Sequence, residues 1–305
     1  MNTPFPPVYL AGPTGSGKTA IALELARIIG QVEIINADAF QVYRGMEVIS
    51  AAPTAAEREA VPHHLFGVLE PSEPCDAAAF AEKARATIAE VGERAIPLVV
   101  GGSGLYLKAI THGLAPTPKS DPLLRAELDK KSLDDLVSHY RHLDPSGAEV
   151  TNLKNRRYVT RNLEICLLTG QAASTLKSEW QNNQPDLTAF YLKRSREDIY
   201  ERINQRTPMM FAAGVISEVR ALRGLSPTAE KAIGVREIRE LLANKIDEAS
   251  CIEAIQQATR RYAKRQESWF KREPAFLPVE MKETSSASSV ANRILAQIPP
   301  FSLEP

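Results

Sequence analysis

Residues 12–19 read Gly12, Pro13, Thr14, Gly15, Ser16, Gly17, Lys18 and Thr19, a complete G-x-x-x-x-G-K-[ST] phosphate-binding loop. An apolar, strand-like segment (Pro7 to Ala11) precedes it, and a helix-like one (Ala20 to Ile29) follows and stops at Gly30. This order is what the loop needs. Glycines fold the backbone into a nest of N–H donors, Lys18 adds a point charge, and the helix N-terminus adds its positive dipole. The four fixed positions alone would match by chance in about one chain of this length per hundred. The chain therefore binds a di- or triphosphate, and a strand must feed the loop.

The rest of the first third has the rhythm of a parallel α/β sheet. Strands are expected at Val32–Ala37, ending at Asp38, and at Ile96–Val100, which runs into a second glycine-rich turn, Gly101 to Tyr106. Ala77–Val91 reads as an amphipathic helix. Ligands of open α/β sheets gather beyond the carboxyl ends of strands, so Lys18, Asp38 and Ser103 are expected to share one pocket. A crossing with three prolines covers 111–122. Helical signal then runs to about Asp186, Thr188–Leu192 reads as a strand returning to the sheet, and helices dominate to about Arg272. The predicted fold class is α/β, a P-loop NTPase-like parallel sheet core with a helical insertion domain and a helical C-terminal part. The expected divisions are 1–118 (first part of the core), 119–187 (insertion), 188–277 (return strand and C-terminal helices) and 278–305 (a loose tail).

Composition narrows the function classes. Of 305 residues, 37 are basic and 37 acidic, so net charge gives no argument for nucleic-acid binding. Local charge does. Lys154, Arg156, Arg157 and Arg161 fall within eight positions without an acid; Lys193, Arg194, Arg196, Arg202 and Arg206 form a second group. A third, 260–272, holds six bases, one acid and three aromatics. Phosphate contacts and stacking on aromatics hold looped RNA, while a solvated helix face explains any one group alone. The three cysteines are far apart and read as reduced thiols. Without a membrane-length apolar run or a signal-peptide pattern, the expected compartment is the cytoplasm. His139 and His142 lack the partners of a zinc set, His63-His64 fits either pocket or core, and Met209-Met210-Phe211 reads as packing.

An NTPase of this loop class pairs it with a strand-end aspartate for Mg²⁺. Here the clearest later strand ends in Gly-Gly-Ser, and the comparable carboxylate is Asp38. Asp38 can help hold magnesium, act as a general base, or cap a turn after Asn36.

Taken together, these motifs resemble the tRNA dimethylallyltransferases, or tRNA isopentenyltransferases, of bacterial type, over roughly residues 8–272. The resemblance rests on Gly12–Thr19, Asp38 with Gln41 to Met46, Pro62 to Leu65, and Gly101 to Tyr106. It continues through Arg157 to Glu164 with Thr169-Gly170, Arg202 to Arg206, Ile233-Gly234, and Thr259 to Gln266 followed by Trp269-Phe270. It implies transfer of a dimethylallyl group from dimethylallyl diphosphate to N6 of the adenosine 3′ of the anticodon, in tRNAs reading codons that begin with U, with release of diphosphate. The insertion would grip the anticodon stem-loop. Gly12 to Thr19 would hold the diphosphate, with Lys18 and Arg206 neutralising it and Thr19 binding the catalytic Mg²⁺. Asp38 would accept or orient the N6 proton. Contacts to tRNA are implied for Asp38, Ala39, Phe40, Gln41, Ser103, Arg125, Arg157, Tyr158, Val159, Thr160 and Arg161, in a protein acting as a monomer. The chain departs from the family pattern at Ala39, where serine is usual, and at Ala52, where lysine is usual. Ser103 stands in place of threonine, and Arg236 in place of lysine. A P-loop kinase or NTPase, a prenyltransferase of free adenine nucleotides and a non-catalytic RNA binder are the competing readings.

Overall fold

The computed structural model describes residues 3–181 and 185–298. Its centre is a six-stranded sheet, parallel at every pairing, built from β1 (Val8–Ala11), β2 (Val32–Asn36), β3 (His63–His64), β4 (Ile96–Gly101), β5 (Thr188–Lys193) and β6 (Leu277–Glu280). The strand order is β3-β2-β4-β1-β5-β6. β1 sits between β4 and β5, with Val8 opposite both Leu98 and Thr188. All four of its residues are buried, as a central parallel strand covered on both faces requires.

Side chains alternate between two layers. Tyr9 and Ala11 join Ile35, Val99, Phe80 and Leu107 on one face; Val8 and Leu10 join Ile34, Leu98, Ile21 and Leu25 on the other. The first layer is closed by helices α3 (Ala77–Val91) and α4 (Gly104–Thr111) and by later helices of the chain, the second by α1 (Lys18–Ile29); the short α2 (Ala55–Ala60) buries no residue.

Two compact units divide the chain. One runs to Thr111 and resumes at Asp186; the other covers His112–Pro185. The proline-bearing crossing thus falls within the second unit. That unit is wholly helical in its described residues: α5 (Pro122–Asp129), α6 (Leu133–Leu143), α7 (Pro145–Val150), α8 (Arg156–Thr169) and α9 (Ala173–Gln181). Its own core gathers Leu128, Leu136, Tyr140, Val159 and Leu163. After β5 the first unit continues with α10 (Arg196–Ala212), α11 (Val215–Ala221), α12 (Val235–Leu242) and the long α13 (Glu248–Phe270).

The expectation of a loose tail at 278–305 is corrected for 278–298; 299–305 lie outside the described residues. Phe190 to Lys193 pair with Leu277 to Glu280, which makes the tail's first segment the edge strand of the sheet. Pro278 is compatible with that place because an edge strand leaves one row of N–H groups unpaired. The Ser-rich stretch that suggested disorder supplies a helix cap: Ser286 Oγ accepts from Ser289 N–H and starts α14 (Ala287–Leu295). Val290, Ala291 and Ile294 of α14 are fully buried with Ile21 and Leu25 of α1. Among the described residues no helix is long and apolar enough to cross a membrane.

Candidate active site

The phosphate-binding loop connects β1 to α1 through two left-handed glycines, Gly15 (φ +81°) and Gly17 (φ +90°). A Cβ-bearing residue would be strained in either place. Arginines from the β5–α10 region hold the loop from outside. Arg194 Nε donates to Ser16 O (3.0 Å), Arg202 Nε to Gly15 O (2.7 Å), and Arg206 Nη2 to Thr14 Oγ1 (3.0 Å). Lys18 Nζ lies on the loop's own carbonyls, Gly12 O at 2.9 Å and Pro13 O at 3.0 Å.

This loop forms one wall of a cavity of about 460 Å³. Thr14, Lys18, Thr19, Asp38, Gln41, Arg206, Tyr262 and Gln266 all line it. Lys18, Thr19, Asp38 and Arg206 are thus brought together, as expected. Ser103 is buried behind the wall, where its Oγ accepts from Ala39 N–H (3.3 Å) and lies 3.3 Å from Tyr262 Oη.

Asp38 follows β2 in a turn set by Asn36. Asn36 Oδ1 accepts from Asp38 N–H (2.7 Å), and Asp38 Oδ1 accepts from Phe40 N–H (3.0 Å). The carboxylate therefore caps its turn and also reaches the cavity. Burial raises the Asp38 carboxyl above its ordinary range, opposed by the Phe40 N–H, Lys18, the Gln41 N–H and Arg206. Burial lowers the Lys18 ammonium to about 8; Asp38 works against this and Arg206 with it. Burial likewise lowers Arg206, whose Nε is buried without a partner. An enclosed site with two destabilised cations is built for an anion.

The second glycine turn does a different job. A Cβ at Gly101 would overlap the Ala37 carbonyl, one at Gly102 the Gln266 side chain, and one at Gly104 the ring of Trp269. These glycines seat β2 and α13 against β4. They are not a second phosphate nest.

The three basic groups also divide. Every base of the 193–206 group has a partner: Lys193 pairs with Glu280, Arg194 with Asp198, Arg196 with Glu267, and Arg202 and Arg206 hold the loop. In the 260–272 group the aromatics turn inward. Phe270 is buried and stacks on Tyr191 (centroids 4.7 Å apart), Trp269 packs beside it, and Tyr262 lines the cavity. The expected stacking surface for RNA is corrected for Trp269 and Phe270, whose rings pack against each other and, for Phe270, on Tyr191; Tyr262 faces the cavity.

In the helical unit, Arg125 and Arg161 converge on Glu164, whose side chain is 0 % exposed. Burial works to raise that carboxyl, but hydrogen bonds from Arg125, Arg161, Ser120 and the Asp121 N–H bring it down to about 2. Arg156 Nη2 caps the end of α5 at the carbonyls of Leu128, Asp129 and Lys131. Val159 and Thr160 are buried. Arg157 and Tyr158 are exposed. Of the residues at 157–160, Arg157 and Tyr158 are therefore the ones that present side chains to solvent, since 3.6-residue periodicity sends their neighbours into the core.

Ala39 is buried in the apolar core, where a serine hydroxyl would need a hydrogen-bond partner. Met209, expected to be packing, is 67 % exposed at the cavity's edge, while Met210 is buried. His63 lines the cavity with Phe66, and its Nδ1 lies 2.7 Å from Val61 O. Sequence reasoning missed Gln266, Arg194 and Arg202 as loop-holding residues. Their signal, glutamine or arginine inside basic motifs, was indistinguishable from surface charge. Among the described residues no cluster of three His, Cys, Asp or Glu side chains could hold a metal ion.

Comparison with known proteins agrees with this geometry. Residues 41–273 match the family described as IPP transferase, and residues 7–63 match isopentenyl transferase. The chain is 38% identical over 292 residues to a tRNA dimethylallyltransferase of Akkermansia muciniphila, covering 95% of this chain and 99% of that one. It is 42% identical over 277 residues to one of Anaeromyxobacter dehalogenans, covering 87% and 90%. The crystal structure of the full-length tRNA isopentenylpyrophosphate transferase of Bacillus halodurans matches with a TM-score of 0.69 at 31% identity, covering 96% and 95%. A eukaryotic dimethylallyltransferase captured acting on tRNA matches with a TM-score of 0.79 at 25% identity, covering 95% of this chain and 77% of that one. The chain belongs to the IPP transferase family of tRNA dimethylallyltransferases.

Proposed function

We propose that this chain transfers a dimethylallyl group from dimethylallyl diphosphate to N6 of the adenosine 3′ of the anticodon in tRNAs reading codons that begin with U. The observation that carries the reading is the meeting of Lys18, Arg206 and Asp38 in one cavity at the mouth of the phosphate loop. Two cations there suit a leaving diphosphate, and a carboxyl raised by burial is a better proton acceptor than an ordinary aspartate.

In the reaction the bond from C1 of the allyl group to the diphosphate oxygen breaks and a bond from N6 to C1 forms. The N6 proton passes to Asp38, and the electron pair of the broken bond leaves on the diphosphate. Lys18 exchanges its loop carbonyls for the diphosphate oxygens, while the first-turn N–H groups of α1 and the Arg206 guanidinium hold the developing charge. The target base leaves its stack to reach the cavity. Thr19 and Asp38 supply oxygen donors of the kind magnesium takes, and the sparse protein donor set suits an ion that keeps waters and binds substrate phosphate. Magnesium bound there would neutralise charge on the diphosphate. Arg157 and Tyr158 are the exposed groups of the helical unit offered to the anticodon stem-loop. The same reading takes the protein to act as a monomer in the cytoplasm, where tRNA is found.

The test is incubation with unmodified tRNA, Mg²⁺ and dimethylallyl diphosphate, followed by mass analysis of the nucleosides. The expected product is N6-(dimethylallyl)adenosine. ATP hydrolysis or phosphoryl transfer without prenyl transfer overturns the reading.

A further inference from the structure

Gln266 lies on α13, far in sequence from the loop, and is 4 % exposed. Its carboxamide bridges the two glycine turns. Oε1 accepts from Thr14 N–H at 2.9 Å, and Nε2 donates to Gly102 O at 2.8 Å. Both ends of the amide are used, so its orientation is fixed by its partners. The Thr14 residue whose N–H it takes also accepts, through Oγ1, from Arg206. Gly102 is glycine where any Cβ would overlap Gln266 and come within 2.6 Å of Gly12 O. The contact is therefore built from both sides.

We propose that Gln266 is a positioning residue that sets the phosphate loop for diphosphate. It takes up Thr14 N–H, leaves Thr14 Oγ1 to Arg206, and ties the loop to the second glycine turn. It acts through Thr14 and Arg206 and does not touch the reacting atoms. The inference rests on the proposed transfer reaction for its consequence in turnover, but not for its consequence in diphosphate binding.

Two variants separate this role from simple packing. Gln266→Met keeps the volume and loses both hydrogen bonds. Gln266→Glu keeps the acceptor for Thr14 and sets an oxygen against Gly102 O. Calorimetry with inorganic pyrophosphate, thermal melting, tRNA affinity, and kcat and KM for dimethylallyl diphosphate are measured for each beside the wild type. A buried N–H left unpaired is expected to weaken pyrophosphate binding and raise the KM for dimethylallyl diphosphate by about tenfold in Gln266→Met. Its tRNA affinity should stay within about twofold of wild type. Gln266→Glu adds a negative charge beside the anion site and should weaken pyrophosphate at least as much as Gln266→Met, and it decides the matter if the Met variant does not fold. Pyrophosphate affinity and KM within about twofold of wild type in a folded variant overturn the proposal. A wild type that transfers no allyl group, but whose pyrophosphate affinity still depends on Gln266, upholds the loop role and overturns only the transfer reading.

Discussion

The turns after β1 and β4 are both glycine-rich, both at carboxyl ends of central strands, and look alike as sequence. In the first, Gly15 and Gly17 are glycine for their backbone angles, and the nearest atoms to where a Cβ would stand are 3.5 Å away, an ordinary contact. In the second, Gly101, Gly102 and Gly104 have no positive φ, and each missing Cβ leaves room for a neighbour from β2 or α13. One turn shapes a backbone around a ligand. The other lets three elements close on each other. Damage to the first should therefore appear in binding and chemistry, and damage to the second in stability.

Asp38, whose turn is held on the second-turn side through Ala39 and Ser103 and whose carboxyl reaches the first, gives the largest expected effect. Asp38→Ala should lower turnover about 10²–10⁴-fold, as loss of an acid–base group does, with tRNA affinity nearly kept. Single-turnover kinetics with bound tRNA checks this; lost affinity with unchanged turnover assigns Asp38 to binding instead.

Next comes the second turn itself. Gly104→Ala should cost about 1–3 kcal/mol, read as a lower melting temperature, because its Cβ overlaps the Trp269 ring. Combining it with Trp269→Leu should recover part of that loss relative to the sum of the single changes. Additive losses would show that the seat is not what Gly104 provides. Gly15→Ala, strained by about 1–2 kcal/mol through its φ but free of such overlap, should lose more diphosphate affinity than stability.

The third test titrates Lys18. Burial lowers its ammonium to about 8, so between about 8 and its ordinary 10.5 the unfolded chain carries a proton that the folded chain does not. The stability penalty from this group is thus complete below about 8 and is relieved as pH rises through that window. Bound diphosphate favours the charged form, so binding above about 8 takes up a proton. Affinity for dimethylallyl diphosphate without Mg²⁺ should then fall with pH, by at most about tenfold per unit. Lys18→Met should flatten the profile; an equal slope in that variant assigns the proton elsewhere.

Much of this was legible in the sequence, for physical reasons. Val8 to Ala11 and Ile96 to Gly101 are apolar because both faces of a central parallel strand are covered, and such runs are readable. The helix at Ala77–Val91 announced its face by period. The convergence of Lys18 and Asp38 followed from strand ends and a phosphate motif, whereas Arg206 came only from the family resemblance, and Ser103, expected in the same pocket, lies behind its wall. The edge strand at Leu277–Glu280 did not show, because a four-residue strand with a proline resembles a loop until β5 is beside it. Gln266 was hidden for a related reason. Its partners are 252 and 164 residues away, and no local period encodes such a bridge.

The same lesson recurs on α8 and supplies the smallest test. Arg157 and Arg161 stand one helical turn apart and carry the same charge, which made them one patch as sequence. In the fold Arg161 points to buried Glu164 and Arg157 to solvent. Arg161→Ala should act through stability, costing about 1–2 kcal/mol because Arg125, Ser120 and the Asp121 N–H still serve the carboxylate. Arg157→Ala should leave the melting temperature alone, weaken tRNA binding across sequences by a few-fold, and lower the salt slope of binding by about 1. Reversal, with Arg157 moving the melting temperature and Arg161 the salt slope, would mean that the ion cluster opens when RNA binds. Glu164 would then be a latch on an RNA-binding surface and not the anchor of a helical core.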